Sequence, residues 1–218
     1  VTTDWRFTDT LREAAAGEWA RMQGHPFVRA IEADALPADA LRRYLIIECG
    51  FVDAAIAIFG HALVQAPDLA TRRELVTILR GLTEDQMPFF AQAFAELGVA
   101  GEPWRDPPPP AAAMLREGML GFAAHGGFAE AMTAMLAAEW TYCEFCGRAL
   151  SRPVADPVLR RWLELHIAPP FDRQVAWLRS VVDGLGASST GADRERLITV
   201  FRTALELEIH FHAAVLTV

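Results

Sequence analysis

Lysine is absent from this chain: all 20 of its basic residues are arginine, set against 28 acidic ones, for a formal net charge of −8. A balance so short of cations speaks against a nucleic-acid partner, because phosphate contacts need clustered basic side chains. Cysteine is scarce too, at three. A small odd number points away from a disulfide framework and, with no sign of secretion, toward reduced thiols in a cytoplasmic protein. Long apolar runs are missing: Arg, Glu, Asp or His breaks each one short of a membrane span, so no membrane partner is expected. The opening stretch, VTTDWRFTDTL, has no basic region ahead of an apolar core and reads as carrying no secretory signal. No segment alternates with the period of a strand, and no internal repeat is visible.

What remains has the helical period almost throughout. With 218 residues, 52% of them hydrophobic, the chain can bury one large core and is read as a single all-α domain over 1–218. Leu11, Ala15, Trp19 and Met22 share a face in a first helix over 8–22, which Thr8 or Asp9 is placed to cap. HPFV at 25–28 breaks it, and a second short helix follows over 27–34. The third, 38–66, is apolar nearly all round and is expected to be central. Asp68 opens a fourth, 68–98, which closes on Gly98. GEPWRDPPPP at 101–110 cannot be helical and makes a stiff crossover. Helices over 111–125, 128–150 and 156–167 come next. Pro169-Pro170 is expected to interrupt before a helix over 171–185, and GLGASSTGAD to form a flexible loop before the last helix, 192–216.

Chemistry concentrates in MLAAEWTYCEFCGRAL, 135–150, where Glu139 sits inside an apolar helix. Burying a carboxylate is costly unless something pairs with it. Glu48 and Glu208 pose the same problem on two other central helices. Each of the three has an aromatic residue one turn later: Phe51, Tyr142 and Phe211. Taken singly, each acid is most simply a partly exposed residue on a helix edge. Together they suggest a pocket whose carboxyls trade protons near neutral pH beside flat aromatic walls. Cys143 and Cys146 match C-x-x-C, but without a second pair for zinc or a strand for a redox fold they read as core thiols.

Several stretches resemble the TenA/thiaminase II family, in order along essentially the whole chain. They are HPFV, the Tyr44-Leu45-Ile46-Ile47-Glu48 segment, TEDQMPFFAQAFAELGV at 83–99, AAEWTY at 137–142, RRWLELH at 160–166 and LEIHF at 207–211. The resemblance implies a haem-oxygenase-like helical bundle that hydrolyses aminopyrimidines or thiamin without metal or organic cofactor, as a homodimer or homotetramer. It puts Glu48 where the family has the acid that grips the heterocycle, with Phe51 and Phe211 to stack on it. It makes Glu208 the proton donor and acceptor, and Tyr142 the tyrosine that follows the nucleophile. His166 stands in for a pocket tyrosine. Where typical members carry the nucleophilic cysteine, this chain has Ala138. The adjacent Glu139 suits a branch of the family that uses a glutamate there. The expected substrate is therefore a small planar heterocycle, with Glu208 and Glu139 catalytic and Glu48, Phe51, Tyr142, His166 and Phe211 binding it. Two alternatives stay open. One is a di-iron or other metal-dependent oxygenase built on Glu208 and His212. The other is a non-catalytic pyrimidine-binding or regulatory protein.

Overall fold

The computed structural model describes residues 5–216. Residues 1–4 and 217–218, on which the start of the signal reading and the outermost domain bounds fall, lie outside the described residues. Among the described residues every regular element is helical. The order is α1 (Phe7–Ala14), α2 (Ala16–Gln23), α3 (Pro26–Glu32), α4 (Ala38–Gln65), α5 (Leu69–Arg80), α6 (Met87–Glu96), α7 (Pro110–Gly121), α8 (Phe128–Ala149), α9 (Pro157–Leu165), α10 (Pro169–Ser188) and α11 (Gly191–Ala213).

α8 is the axis of the bundle. Each residue from Glu130 to Tyr142 is buried, and the helix packs on α10 and α11, with α4 and α7 closing the other side. The small residues Ala131, Ala134, Ala137 and Ala138 let these neighbours approach. α4 keeps a solvent face at Asp53, Ala57, His61 and Val64. α4 is 28 residues long and an 18-residue window of it has a mean hydropathy of 1.7, so it meets the length and composition of a membrane span despite its charged residues, which corrects the expectation that no run does so. Over half of that window is buried inside the bundle, as in the core helix of a water-soluble fold.

Helix ends follow the sequence where a local cap decides them. The Asp68 and Asp156 side chains accept from backbone N–H groups at the starts of α5 and α9, each cap contributing about 1 kcal/mol. Gly98 takes a φ of 66°, and Val99 N–H reaches back to Phe94 O at 2.9 Å, closing α6 in the paired-bond ending that glycine favours.

Other ends differ from expectation for physical reasons. The first helix breaks at Ala15 into α1 and α2. Its start is capped neither by Thr8 nor by Asp9; the Asp183 carboxylate of α10 accepts from Thr8 N–H at 2.8 Å. The 68–98 helix is interrupted by a wider π-helical turn at Gly81–Gln86, directly before Pro88, which cannot donate into a regular ladder. A second π turn, Phe122–Gly126, joins α7 to α8. Pro169 and Pro170 start α10 instead of interrupting it, because the first turn needs no donor there. α10 also runs on to Ser188, so the expected loop shrinks to the residues around Ser189 and Thr190. α11 ends at Ala213 and not at 216. The proline crossover contains a short 3-10 turn at Pro103–Arg105, and Trp104 stacks on Phe94 at 5.5 Å.

Candidate active site

Four helices meet around Tyr142 of α8. α4 brings Tyr44 and Glu48, four residues apart and so on one face. α11 brings Glu208 and His212 at the same spacing, and α9 brings Trp162 with His166 just past its end. Glu48 is 3% exposed, and Glu208 and His212 are 0% exposed, deep enough that each polar atom needs a protein partner.

The Trp162 indole N–H donates to Glu48 Oε2 at 2.6 Å. Glu48 Oε1 lies 3.7 Å from His166 Nε2. His166 Nδ1 is 2.8 Å from Trp162 O and His212 Nδ1 is 2.7 Å from Glu208 O. A carbonyl only accepts, so both imidazoles carry their proton on Nδ1 and present a bare Nε2. Burial holds His166 down at about 4 and His212 at about 3, and it pushes Glu48 well above the ordinary carboxyl range. Glu48 and His166 therefore meet as a neutral acid and a neutral base, not as an ion pair.

On the other side of the tyrosines, Tyr142 donates to Glu208 Oε2 at 3.5 Å. Glu208 Oε1 and His212 Nε2 have no hydrogen-bond partner. Burial raises Glu208 to about 8, with the Tyr142 bond opposing the shift. The Glu208 charge in turn raises Glu48, so the two buried acids lie within electrostatic reach of each other. Aromatic rings pack around them, with Phe27 4.4 Å from Tyr44, Phe211 6.0 Å from Tyr44 and Phe51 6.2 Å from Phe211 between ring centres.

The TENA/THI-4/PQQC family pattern matches residues 12–217. The chain belongs to this family. It is 26% identical over 208 residues to the aminopyrimidine aminohydrolase of Bacillus subtilis (strain 168), covering 94% of this chain and 88% of that one. Its fold superposes on a TenA homologue from P. horikoshii OT3 with a TM-score of 0.85 at 21% identity, over 97% of this chain and 98% of the other. A domain with a haem-oxygenase-like fold from Shewanella denitrificans OS217 matches with a TM-score of 0.74 at 14% identity, over 96% and 91% of the two chains. The expected bundle is thus the one observed.

Within this TENA/THI-4/PQQC chain the sequence-derived residues divide. Glu48, Glu208, Tyr142, His166 and Phe211 belong to one buried cluster, and Phe51 stands at its edge against Phe211. Ala138 is buried on α8. Glu139 is buried as well, but its carboxyl turns toward α10, where Gln174 donates to Oε2 at 2.6 Å. Burial raises Glu139 to about 8, with Gln174 opposing. Gln174 and Phe171 line a cleft of about 870 Å³ between the first π turn and α9–α10, and Phe171 packs on His166 at 5.1 Å. A smaller cleft of about 100 Å³ lies beneath the proline crossover and has Phe51 in its wall.

The cysteines are free thiols. Burial lifts Cys146 well above its usual range and raises Cys143 also, the opposite of an activated thiolate. Among the described residues no three His, Cys, Asp or Glu side chains gather at metal-binding spacing. Two contacts escape a reading of the sequence, that of Tyr44 with Tyr142 and that of Gln174 with Glu139. Tyr44 signals itself only as the residue one turn before Glu48, and Gln174 looks like any polar position on an amphipathic helix.

Proposed function

We propose that this chain hydrolyses the C–N bond of an aminopyrimidine, or of a related aromatic amine or formamide, with glutamates in place of the cysteine nucleophile. The observation that carries the reading is Glu208, fully buried, poised at about 8, with Oε1 free of any hydrogen bond and a second acid beyond two tyrosines. A carboxyl at that pKa can take a proton from water and return one to a leaving amine near neutral pH. The kinship with an aminopyrimidine aminohydrolase supports the same chemistry.

In this reading Glu48 grips the heterocycle. A protonated carboxyl can donate to a ring nitrogen while its carbonyl oxygen accepts from an exocyclic amine, matching the aminopyrimidine edge. Phe51 and Phe211 hold the ring faces, and Tyr142 and His166 complete the wall. Glu139, on the cleft side of α8, shares in the proton transfers once Gln174 releases its carboxyl. No metal or organic cofactor takes part. The protein works in the cytoplasm as a homodimer or homotetramer.

Glu208→Gln tests the assignment. Its side chain keeps the shape but cannot exchange protons, so release of amine from an aminopyrimidine drops at least 100-fold, the low end of general acid–base contributions, while melting stays cooperative. A variant with full activity would remove Glu208 from the mechanism. Ligand-induced melting shifts in the unmodified protein without turnover would favour a binding or regulatory role instead.

A further inference from the structure

A line of hydroxyls joins the two buried acids. Tyr44, one turn before Glu48 on the same face of α4, holds the Glu48 carboxyl down against the shift from burial. The Tyr44 hydroxyl is 2.9 Å from that of Tyr142, which reaches Glu208 Oε2 at 3.5 Å. None of the four residues is more than 7% exposed, so bulk water does not interrupt the line. A phenol has one proton to give and an oxygen that accepts. Such a chain closes in two ways only. With the shared proton on Glu48, each hydroxyl points toward Glu208; with it on Glu208, each points back.

We propose that Tyr44 and Tyr142 form a proton wire by which Glu48 and Glu208 share a single proton. In one transfer the Glu48 O–H proton passes to the Tyr44 oxygen as the Tyr44 proton passes to Tyr142 and the Tyr142 proton to Glu208 Oε2. Each phenol gains one proton and loses one, so both stay neutral, and the charge moves from Glu208 to Glu48. Tyr44 touches no substrate atom in this scheme; its hydroxyl relays the proton between Glu48 and Tyr142.

The surrounding groups do not compete for that proton. His166 of α9 faces Glu48, His212 of α11 flanks Glu208, and His25, ahead of α3, packs on His212 at 5.9 Å. Burial keeps all three imidazoles neutral by lowering them. Cys49 of α4, at about 12, and Cys146 of α8 are held as thiols by the same burial. With the neighbours neutral, the Glu208 charge is the one that Glu48 feels, and acids that interact titrate as a pair.

The role of the wire in turnover rests on the function proposed above. There, Glu208 takes a proton from water as hydroxide adds to carbon. The wire carries that proton to Glu48, replacing the one Glu48 gave to the ring nitrogen, and the ring's proton leaves with the amine. The wire itself needs no substrate to be tested. Infrared pH titration of the buried carboxyls, with Glu48→Gln and Glu208→Gln to assign the bands, follows both acids directly.

Tyr44→Phe keeps the ring and its packing. It is expected to raise the Glu208 midpoint by about half a unit, because a shortened chain of bonds supports the anion less well, although Tyr44 donates nothing to Glu208 itself. Glu48→Gln is expected to shift the same midpoint, because the acid that shares the proton is gone. In turnover, Tyr44→Phe lowers kcat about tenfold with KM unchanged, and the solvent-deuterium proton inventory goes from curved to linear. A Glu208 midpoint unmoved in both Tyr44→Phe and Glu48→Gln would overturn the wire. Shifted midpoints with no hydrolysis of aminopyrimidines would leave the wire standing and overturn the proposed reaction.

Discussion

Glu139 and Glu208 have folded-state pKa values of about 8, against 4.5 for an exposed glutamate, because the anion has no water to solvate it. His166 and His212, at about 4 and about 3 against 6.5, are neutral for the same reason. The two kinds of group act on stability with opposite sign. Between about pH 4 and 6.5 the unfolded chain binds the extra protons at the histidines, so their contribution grows as pH rises. Between 4.5 and about 8 the folded chain binds the extra protons at the glutamates. Their contribution is complete below 4.5 and is lost as pH climbs to 8. The effects partly cancel up to pH 6.5, and above it the acids act alone. The melting temperature should therefore fall from pH 6.5 to 8, by at most about 1.4 kcal/mol of stability per pH unit for each carboxyl. Glu208→Gln should flatten that fall, as calorimetry across the pH series would show. A melting temperature that rises over this interval would mean that these carboxyls are ionised in the fold.

At the scale of elements, the tightest joint is between α1 and α10. A Cβ placed on Gly186 would lie 2.2 Å from Cγ of Phe7, far inside contact distance, so the glycine lets the buried Phe7 ring sit directly on the α10 backbone. Gly186→Ala would improve helix propensity yet must push α1 outward. A net loss of about 1–3 kcal/mol is expected, the usual cost of overpacking, read as a lower urea midpoint. A neutral or stabilising result would mean that α1 gives way freely. This joint also explains a misreading of the sequence. Gly184 and Gly186 look like helix breakers in GLGASSTGAD, but a glycine retained for contact with another helix carries no local mark of that purpose. Where the deciding group was local, as at Asp68, Asp156 and Gly98, the ends were legible. Where it was a side chain of a distant helix, as with Asp183 at Thr8, they were not.

For the whole molecule, the helical period and the apolar girth of 128–150 were enough to find the axis of the bundle. The acids at Glu48 and Glu208 stood out because an ionisable group amid apolar neighbours is rare without a reason. What spacing along one helix cannot give is which neighbour a side chain meets. Glu139 and Tyr142 lie one turn apart on α8, yet Tyr142 turns to Glu208 and Glu139 to Gln174 of α10. That division depends on how α10 and α11 pack against α8, a property of the assembled bundle. It also separates the buried cluster around Glu48 and Glu208 from the cleft of about 870 Å³ walled by Gln174. A crystal structure with 4-aminopyrimidine bound distinguishes them directly. The ring should lie between Phe51 and Phe211 with its amino group on Glu48; a ring lodged instead against Gln174, with Glu48 left as it stands on Trp162, would contradict the two-acid site.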